Sequence, residues 1–416
     1  MENNIMSYLF SDEIGFKGTA VDAFNRLKVS TPFTLFDSQQ RYQVSDKWNY
    51  VGGTGGSYSY NITESTVSLS TNTLSGSKMY SETKRVFPYQ PGKALTILNT
   101  FALETPKTGL RQRVGYFGVT GGFTGATPYN GIYLEQDGLT LSLCLASASL
   151  GTTQKINQVN WNGDKLDGNG ASGITLDVTK GNIFWMDIEW LGVGDVRTGF
   201  FINGRPIVAH TFYNANVNAT TYMTTACLPI RYEIQNTTSQ ASSSTMRQIC
   251  SSVLSEAGYE GFTRRYNITK NGSNLVPLTT QDVQYPMIAL RMNSNRLDSI
   301  IIPSNLSVVV EPGTNNKPVT VQYRILLNPT LTGNTWITHY NGNVDYNISA
   351  TAITGGTDII GGYLSSSGSL DISNINDFNF QLGRTQTGVS DIFALTLTPL
   401  EDNTNVSCDL SWFEII

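Results

Sequence analysis

At 416 residues the chain is longer than one hydrophobic core usually serves, which predicts two or three domains. Hydrophobic residues make up 39% and charged residues 14%, against roughly 25% charge in ordinary globular chains, and Asn, Thr, Ser and Gly stand in the place of the missing charge. The net charge of -5, with basic residues scattered along the chain, argues against a phosphate-binding stripe and hence against nucleic acid as a partner. No run of about 18 apolar residues offers a membrane span.

Residues 1–50 show no repeated apolar period and mix Gly, Pro and polar groups, which predicts an extended N-terminal arm. The beginning carries Glu2, Asp12 and Glu13 instead of a basic region ahead of an apolar run, so no signal peptide is expected. After the glycines of 52–56 come short strands and turns. Ala94–Phe101, Val114–Val119 and Gly131–Glu135 read as strands, the last followed by an Asp137-Gly138 hairpin signal. In Ile183–Trp190 strict alternation sets Phe184, Met186, Ile188 and Trp190 on a core face and Trp185, Asp187 and Glu189 on an accessible one. Asn203-Gly204 supplies the two positive-φ residues of a type I′ hairpin between 198–202 and 205–210. Leu228–Ile234 and Met246–Val253 continue the pattern.

Strands of this length and spacing predict an all-β protein: the extended arm over 1–50, a concanavalin-like jelly-roll β-sandwich over 51–265, and a second C-terminal β-sandwich over 266–416. The boundary is read from the polar stretch near 259–277. Beyond it Ile300–Ile302, Ser307–Val310, Val319–Leu327, Phe393–Leu397 and Cys408–Ile416 alternate or run apolar between turn signals.

Few residues offer chemistry. Two histidines, His210 and His339, fall in different predicted domains, too few for a shared metal centre or proton relay. Cys144, Cys227, Cys250 and Cys408 are widely spaced and are expected to be buried thiols. Asp187 and Glu189 stand about 7 Å apart on one strand face, a separation open to paired glycosidase carboxylates, but outward acidic residues on a half-buried strand serve solubility equally well. With Trp185 they form a candidate glycan-facing set. The loop Trp161–Gly170 gathers Asp and Asn oxygens that could hold Ca²⁺, though its spacing departs from the EF-hand pattern, and no other metal or cofactor is expected.

The segment Asp22-Ala23-Phe24-Asn25-Arg26-Leu27-Lys28-Val29-Ser30, followed by Pro32-Phe33-Thr34-Leu35-Phe36-Asp37-Ser38-Gln39, resembles the A-F-x-R-L-[RK]-V-S…L-F-D-S arm of virion proteins from tailed bacteriophages, including marine and cyanobacterial phages. The blocks Trp161–Asp164, Leu166–Gly168, Ile183–Gly194, Pro229–Ile234 and Gln248–Ser251 resemble the same group, so the resemblance spans about residues 22–260. Asn25 and Lys28 stand where Gly and Arg are more usual. The resemblance implies a non-enzymatic structural component of the particle and brings no catalytic residues with it. Phe24, Leu27, Val29, Phe33, Leu35 and Phe36 then read as apolar anchors, and Arg26 and Asp37 as register-setting charges, of an arm that docks on a neighbouring subunit or folds back on its own sandwich. The expected partners are further copies of the chain in a homo-oligomer, a trimer being one arrangement, and other virion proteins such as capsid or tail subunits. The expected site is the virion, assembled in the bacterial cytoplasm. The alternative is a lectin-like module that binds a host surface glycan or receptor.

Overall fold

The computed structural model describes residues 31–121, 127–256, 264–270, 275–312, 317–366, 370–372 and 380–415. The chain divides into two compact units, Met1–Tyr259 and Glu260–Ile416. Among the described residues the regular structure is β-strand, with one short 3-10 turn at Gln158–Asn160 and no α-helix.

The first unit is a jelly-roll sandwich of two antiparallel sheets. One runs from edge to edge through β13 (Arg205–Phe212), β12 (Val196–Ile202), β11 (Asn182–Ile188), β6 (Leu95–Ala102), β15 (Ser244–Glu256), β4 (Thr66–Thr71) and β3 (Gly56–Asn61), with β1 (Pro32–Gln39) also paired to β15. The other runs β10 (Thr152–Asn157), β9 (Thr140–Ser147), β8 (Pro128–Asp137), β7 (Leu110–Val119), β14 (Ile230–Asn236), β5 (Lys78–Thr83) and β2 (Trp48–Gly52). Alternate side chains of both sheets, among them Phe101, Phe184, Phe200, Tyr116, Ile132 and Tyr232, meet in one buried core. Each such burial contributes about 1.5–3 kcal/mol. Asn203 and Gly204 both take positive φ, 54° and 71°, and close the β12–β13 hairpin as the sequence predicts.

Residues 32–39 and 48–50, predicted as part of the arm, are strands of the sandwich instead, while residues 1–30 lie outside the described residues. β1 pairs with the second half of β15 from Pro32↔Glu256 to Gln39↔Cys250, and β2 joins the other sheet beside β5. Leu35 and Phe36 pack on the sandwich core, with Phe36 against the rings of Trp48 at 5.9 Å and Phe87 at 4.9 Å. Apolar side chains at this density gain more by completing their own core than by projecting into water. A register break between Thr34 and Phe36, and the Lys47 ammonium donating to the Asp37 carbonyl at 2.6 Å, blunt β1 as an edge strand.

The second unit is also a two-sheet sandwich. One sheet contains β16 (Arg264–Lys270), β28 (Thr404–Ile415), β19 (Ile300–Val310) and β26 (Leu370–Ile372), with β17 (Val276–Leu278) paired to β28. The other runs β22 (Ile337–Thr338), β23 (Val344–Asn347), β18 (Tyr285–Met292), β27 (Phe393–Pro399), β20 (Thr320–Leu327) and β25 (Thr357–Ser365), and a separate ribbon pairs β21 (Thr330–Thr332) with β24 (Ala352–Thr354). Leu306, Val308, Leu410 and Trp412 from the first sheet meet Leu290, Ile325, Phe393 and Leu395 from the second.

Candidate functional site

The inner face of β11 is as predicted, with Phe184, Met186 and Ile188 in the core and Trp190 packed against it. The opposite face is not accessible: Trp185 is 3% exposed, Asp187 1% and Glu189 0%. Neighbouring strands account for much of this. Trp185 meets the Phe201 ring at 6.2 Å and lies over Gly199, where a Cβ would come within 3.0 Å of the indole. Asp187 takes Arg197 Nη2 at 2.5 Å directly across the β11–β12 pair and Thr96 Oγ1 at 3.3 Å from β6. Asp187 is thus committed to cross-strand bonding, Glu189 is fully buried, and Trp185 offers no open ring to a glycan.

Of the predicted docking residues, Phe24, Arg26, Leu27 and Val29 lie outside the described residues. Phe33, Leu35, Phe36 and Asp37 lie in β1, so their strand pairing is made within the chain. Asp37 is exposed and ion-paired with Lys47 at 3.4 Å. It borders a shallow groove of about 250 Å³ on the outer face of the eight-stranded sheet, together with Gln39, Leu98, Thr100, Ile183 and Ser252. Its floor is apolar, from Leu98 and Ile183, with hydroxyl, amide and carboxylate groups at the margin.

Among the described residues of the first unit, the largest charged constellation lies on the outer face of the seven-stranded sheet. Glu82 Oε2 accepts from Arg231 Nη1 at 2.7 Å, and Arg231 Nε reaches Glu233 Oε1 at 2.7 Å. Glu233 Oε2 receives Arg113 Nη1 at 3.2 Å, and Arg113 Nε donates to Glu135 Oε2 at 2.6 Å. Lys155 then bridges Glu135 Oε1 at 2.7 Å and Asp137 Oδ2 at 3.4 Å. Seven groups of alternating sign thus cross β5, β14, β7, β8 and β10 in an unbroken row, from an Arg231 side chain that is 0% exposed to an Asp137 side chain that is 44% exposed. Arg231 also lies 4.3 Å over the Tyr80 ring.

Burial pushes Glu82 up to about 7, outweighing the pull of Arg231. Burial acts in the same direction on Glu135, but Arg113 and Lys155 together outweigh it and hold that carboxyl below the usual range. The Cys144 thiol beside the row is pushed up to about 12, first by burial and then by Glu135, which makes it a poor nucleophile. In buried ion pairs of this kind desolvation offsets much of the attraction, so the row by itself adds little net stability even though removing one partner is costly. Sequence reasoning missed the row, since its members are scattered from 82 to 233. The available signal was alternation of charge within apolar strands, Arg231-x-Glu233 in β14 and Glu135-x-Asp137 in β8.

The Asp164 loop is locked by its own backbone. Asp164 Oδ1 accepts from the Leu166 N–H at 2.9 Å and Oδ2 from the Ser172 N–H at 2.6 Å. Burial disfavours the charge, but these donors prevail and hold the carboxyl below its usual range. Both oxygens serve as turn acceptors, so the predicted Ca²⁺ loop reads as an Asx-type lock. Among the described residues no group of three or more His, Cys, Asp or Glu side chains converges as metal ligands. His210 packs edge-on to Phe212 at 4.6 Å and accepts from the Asn162 N–H through Nδ1 at 3.2 Å, a structural role. Cys144, Cys227 and Cys408 are buried thiols as expected, whereas Cys250 is half-buried at the groove.

No protein-family model matches the chain, and no curated protein does. Solved structures match about half of the chain. A β-glucanase of Bacillus licheniformis is 12% identical, covering 52% of this chain and 96% of its own, at a TM-score of 0.35. A legume lectin-like domain from Entamoeba histolytica is 12% identical over 52% of this chain and 91% of its own, at 0.31. A carbohydrate esterase of the Shiga toxin-encoding bacteriophage phi24B is 13% identical over 54% and 99%, at 0.31. At such scores no residue correspondence follows, and no role is transferred from these proteins.

Proposed function

We propose that the chain is a non-enzymatic structural protein of a tailed-phage virion, a capsid decoration or a tail or fibre component, held to neighbouring subunits by residues ahead of β1. The observation that supports it best is the commitment of the jelly roll's carboxylates to bonding within the sheets: Asp187 to Arg197, and Glu82, Glu233 and Glu135 to Arg231 and Arg113. The attachment itself rests on the resemblance of residues 22–38, and because 32–39 belong to the sandwich, attachment falls to the residues before them. The test is deletion of residues 1–30. The shortened chain is expected to fold with unchanged circular dichroism and to be absent from purified particles; its normal incorporation would refute the assembly role.

A second reading, a lectin-like module for a host glycan, is favoured by the groove bordered by Asp37, Gln39, Thr100 and Ser252. It does not run through Trp185, Asp187 and Glu189, which are buried.

A further inference from the structure

The outer face of the six-stranded sheet in the second unit is divided. Toward one end, Ala289, Leu326 and Ala394 form a small apolar cluster with Ile353 of β24, and Leu331 of β21 packs against it, so the β21–β24 ribbon covers that part. Toward the other end the same face is polar and partly open: Tyr363 is exposed, Gln322, Arg324 and Thr398 are half-buried, and Thr396 is buried. Alternation along β25, offset by a bulge at Ile359 where the register with β20 shifts, turns Asp358, Gly361 and Tyr363 outward, while Ile360 and Leu364 join the core. Register then sets Tyr363 opposite Gln322, Gly361 opposite Arg324, and Gln322 opposite Thr398 on the next strand. Gln284 reaches the same patch and donates to Thr396 Oγ1 at 2.9 Å.

We infer that this partly open half-face, built on Tyr363, Gln322, Arg324 and Thr398, is a binding site for a neutral glycan chain. Tyr363 is 66% exposed, a ring standing at the sheet surface that can stack on the apolar face of a sugar. Gln322 touches the Tyr363 hydroxyl only at 3.4 Å, and Arg324 meets Asp358 only at 3.6 Å, so amide, guanidinium and carboxylate keep bonding capacity for hydroxyl groups. Opposite Arg324, Gly361 has no side chain to stand above the sheet, which leaves a flat floor beside the ring. With strands about 4.8 Å apart, the three strands β25, β20 and β27 that carry these residues span about 10 Å, room for about two successive sugar rings.

Charge and composition select this class of ligand. A polyanion requires uncompensated positive charge, but Arg324 is balanced by Asp358. A protein partner requires a desolvated apolar centre, but Tyr363 is flanked in register by Gln322 and Gly361. The inference concerns a different unit from the proposed attachment and holds or fails independently of it.

The test is a microarray of neutral, acidic and sulfated bacterial saccharides probed with the full chain and with Tyr363→Ala, Gln322→Ala and, as a control on another exposed ring, Tyr340→Ala. Wild type and Tyr340→Ala are expected to label neutral saccharides, with about a tenfold weaker affinity for Tyr363→Ala at an unchanged unfolding temperature. Gln322→Ala removes no core volume and reports on the same face should the tyrosine variant lose its fold. Absence of neutral-saccharide binding overturns the assignment. So does binding confined to acidic or sulfated spots, or binding that both variants retain in full.

Discussion

Glu233 is the centre of the ion-pair row, and its neutralisation tests whether the row works as one unit. It lies 2.7 Å from Arg231 Nε and 3.2 Å from Arg113 Nη1, among side chains that are at most 8% exposed. Glu233→Gln keeps the shape and removes the charge, leaving each guanidinium one other carboxylate, Glu82 for Arg231 and Glu135 for Arg113. Removing one partner of a buried pair costs about 3–5 kcal/mol, and the remaining partners place the expected loss near the lower end, about 3 kcal/mol. For a unit of this size that corresponds to about 6–12 °C in unfolding temperature. The assay is urea unfolding at pH 8, above the value near 7 to which burial pushes Glu82, so that this carboxyl is mostly ionised. Adding Arg113→Gln to the variant should then cost at least about 1 kcal/mol less than adding it to wild type, which is the signature of coupling. A loss below about 0.5 kcal/mol, in the range of ordinary surface changes, with additive double-variant energies, would refute the unit.

Two further predictions concern the same jelly roll. Burial holds His210 down to about 4, below its ordinary 6.5, and Nδ1 is already an acceptor for Asn162. Its contribution to stability is therefore fully present above pH 6.5 and is lost as pH falls through 4. His210→Gln should flatten that part of the stability curve by on the order of 1 kcal/mol, and an unchanged pH profile in chemical unfolding would exclude the effect. A Cβ at Gly170 would stand 2.0 Å from Asp164 Oδ1, which holds the Leu166 N–H. Gly170→Ala should displace that carboxylate and lower stability by about 1–3 kcal/mol, read as faster hydrogen exchange at Leu166 and Ser172; protection equal to wild type would contradict the lock.

The alternation of residues 183–190 was enough to define which side chains of β11 face the core, and Asn203-Gly204 was enough for the hairpin, because a period of two and a positive-φ pair are local properties. The all-β class followed from many such segments. Local pattern assigns a side chain to one of two faces but carries no information on what covers a face. For that reason Trp185, Asp187 and Glu189 read as accessible, although Phe201, Arg197 and Thr96 close on Trp185 and Asp187 from neighbouring strands. Residues 32–50 read as an arm because β1 finds its partner more than two hundred residues later in β15, beyond the reach of any window. The same holds for Glu82, Arg113, Glu135, Lys155, Arg231 and Glu233, and for Tyr363 beside Gln322 and Arg324: composition and period supplied the strands, while long-range register alone made them neighbours.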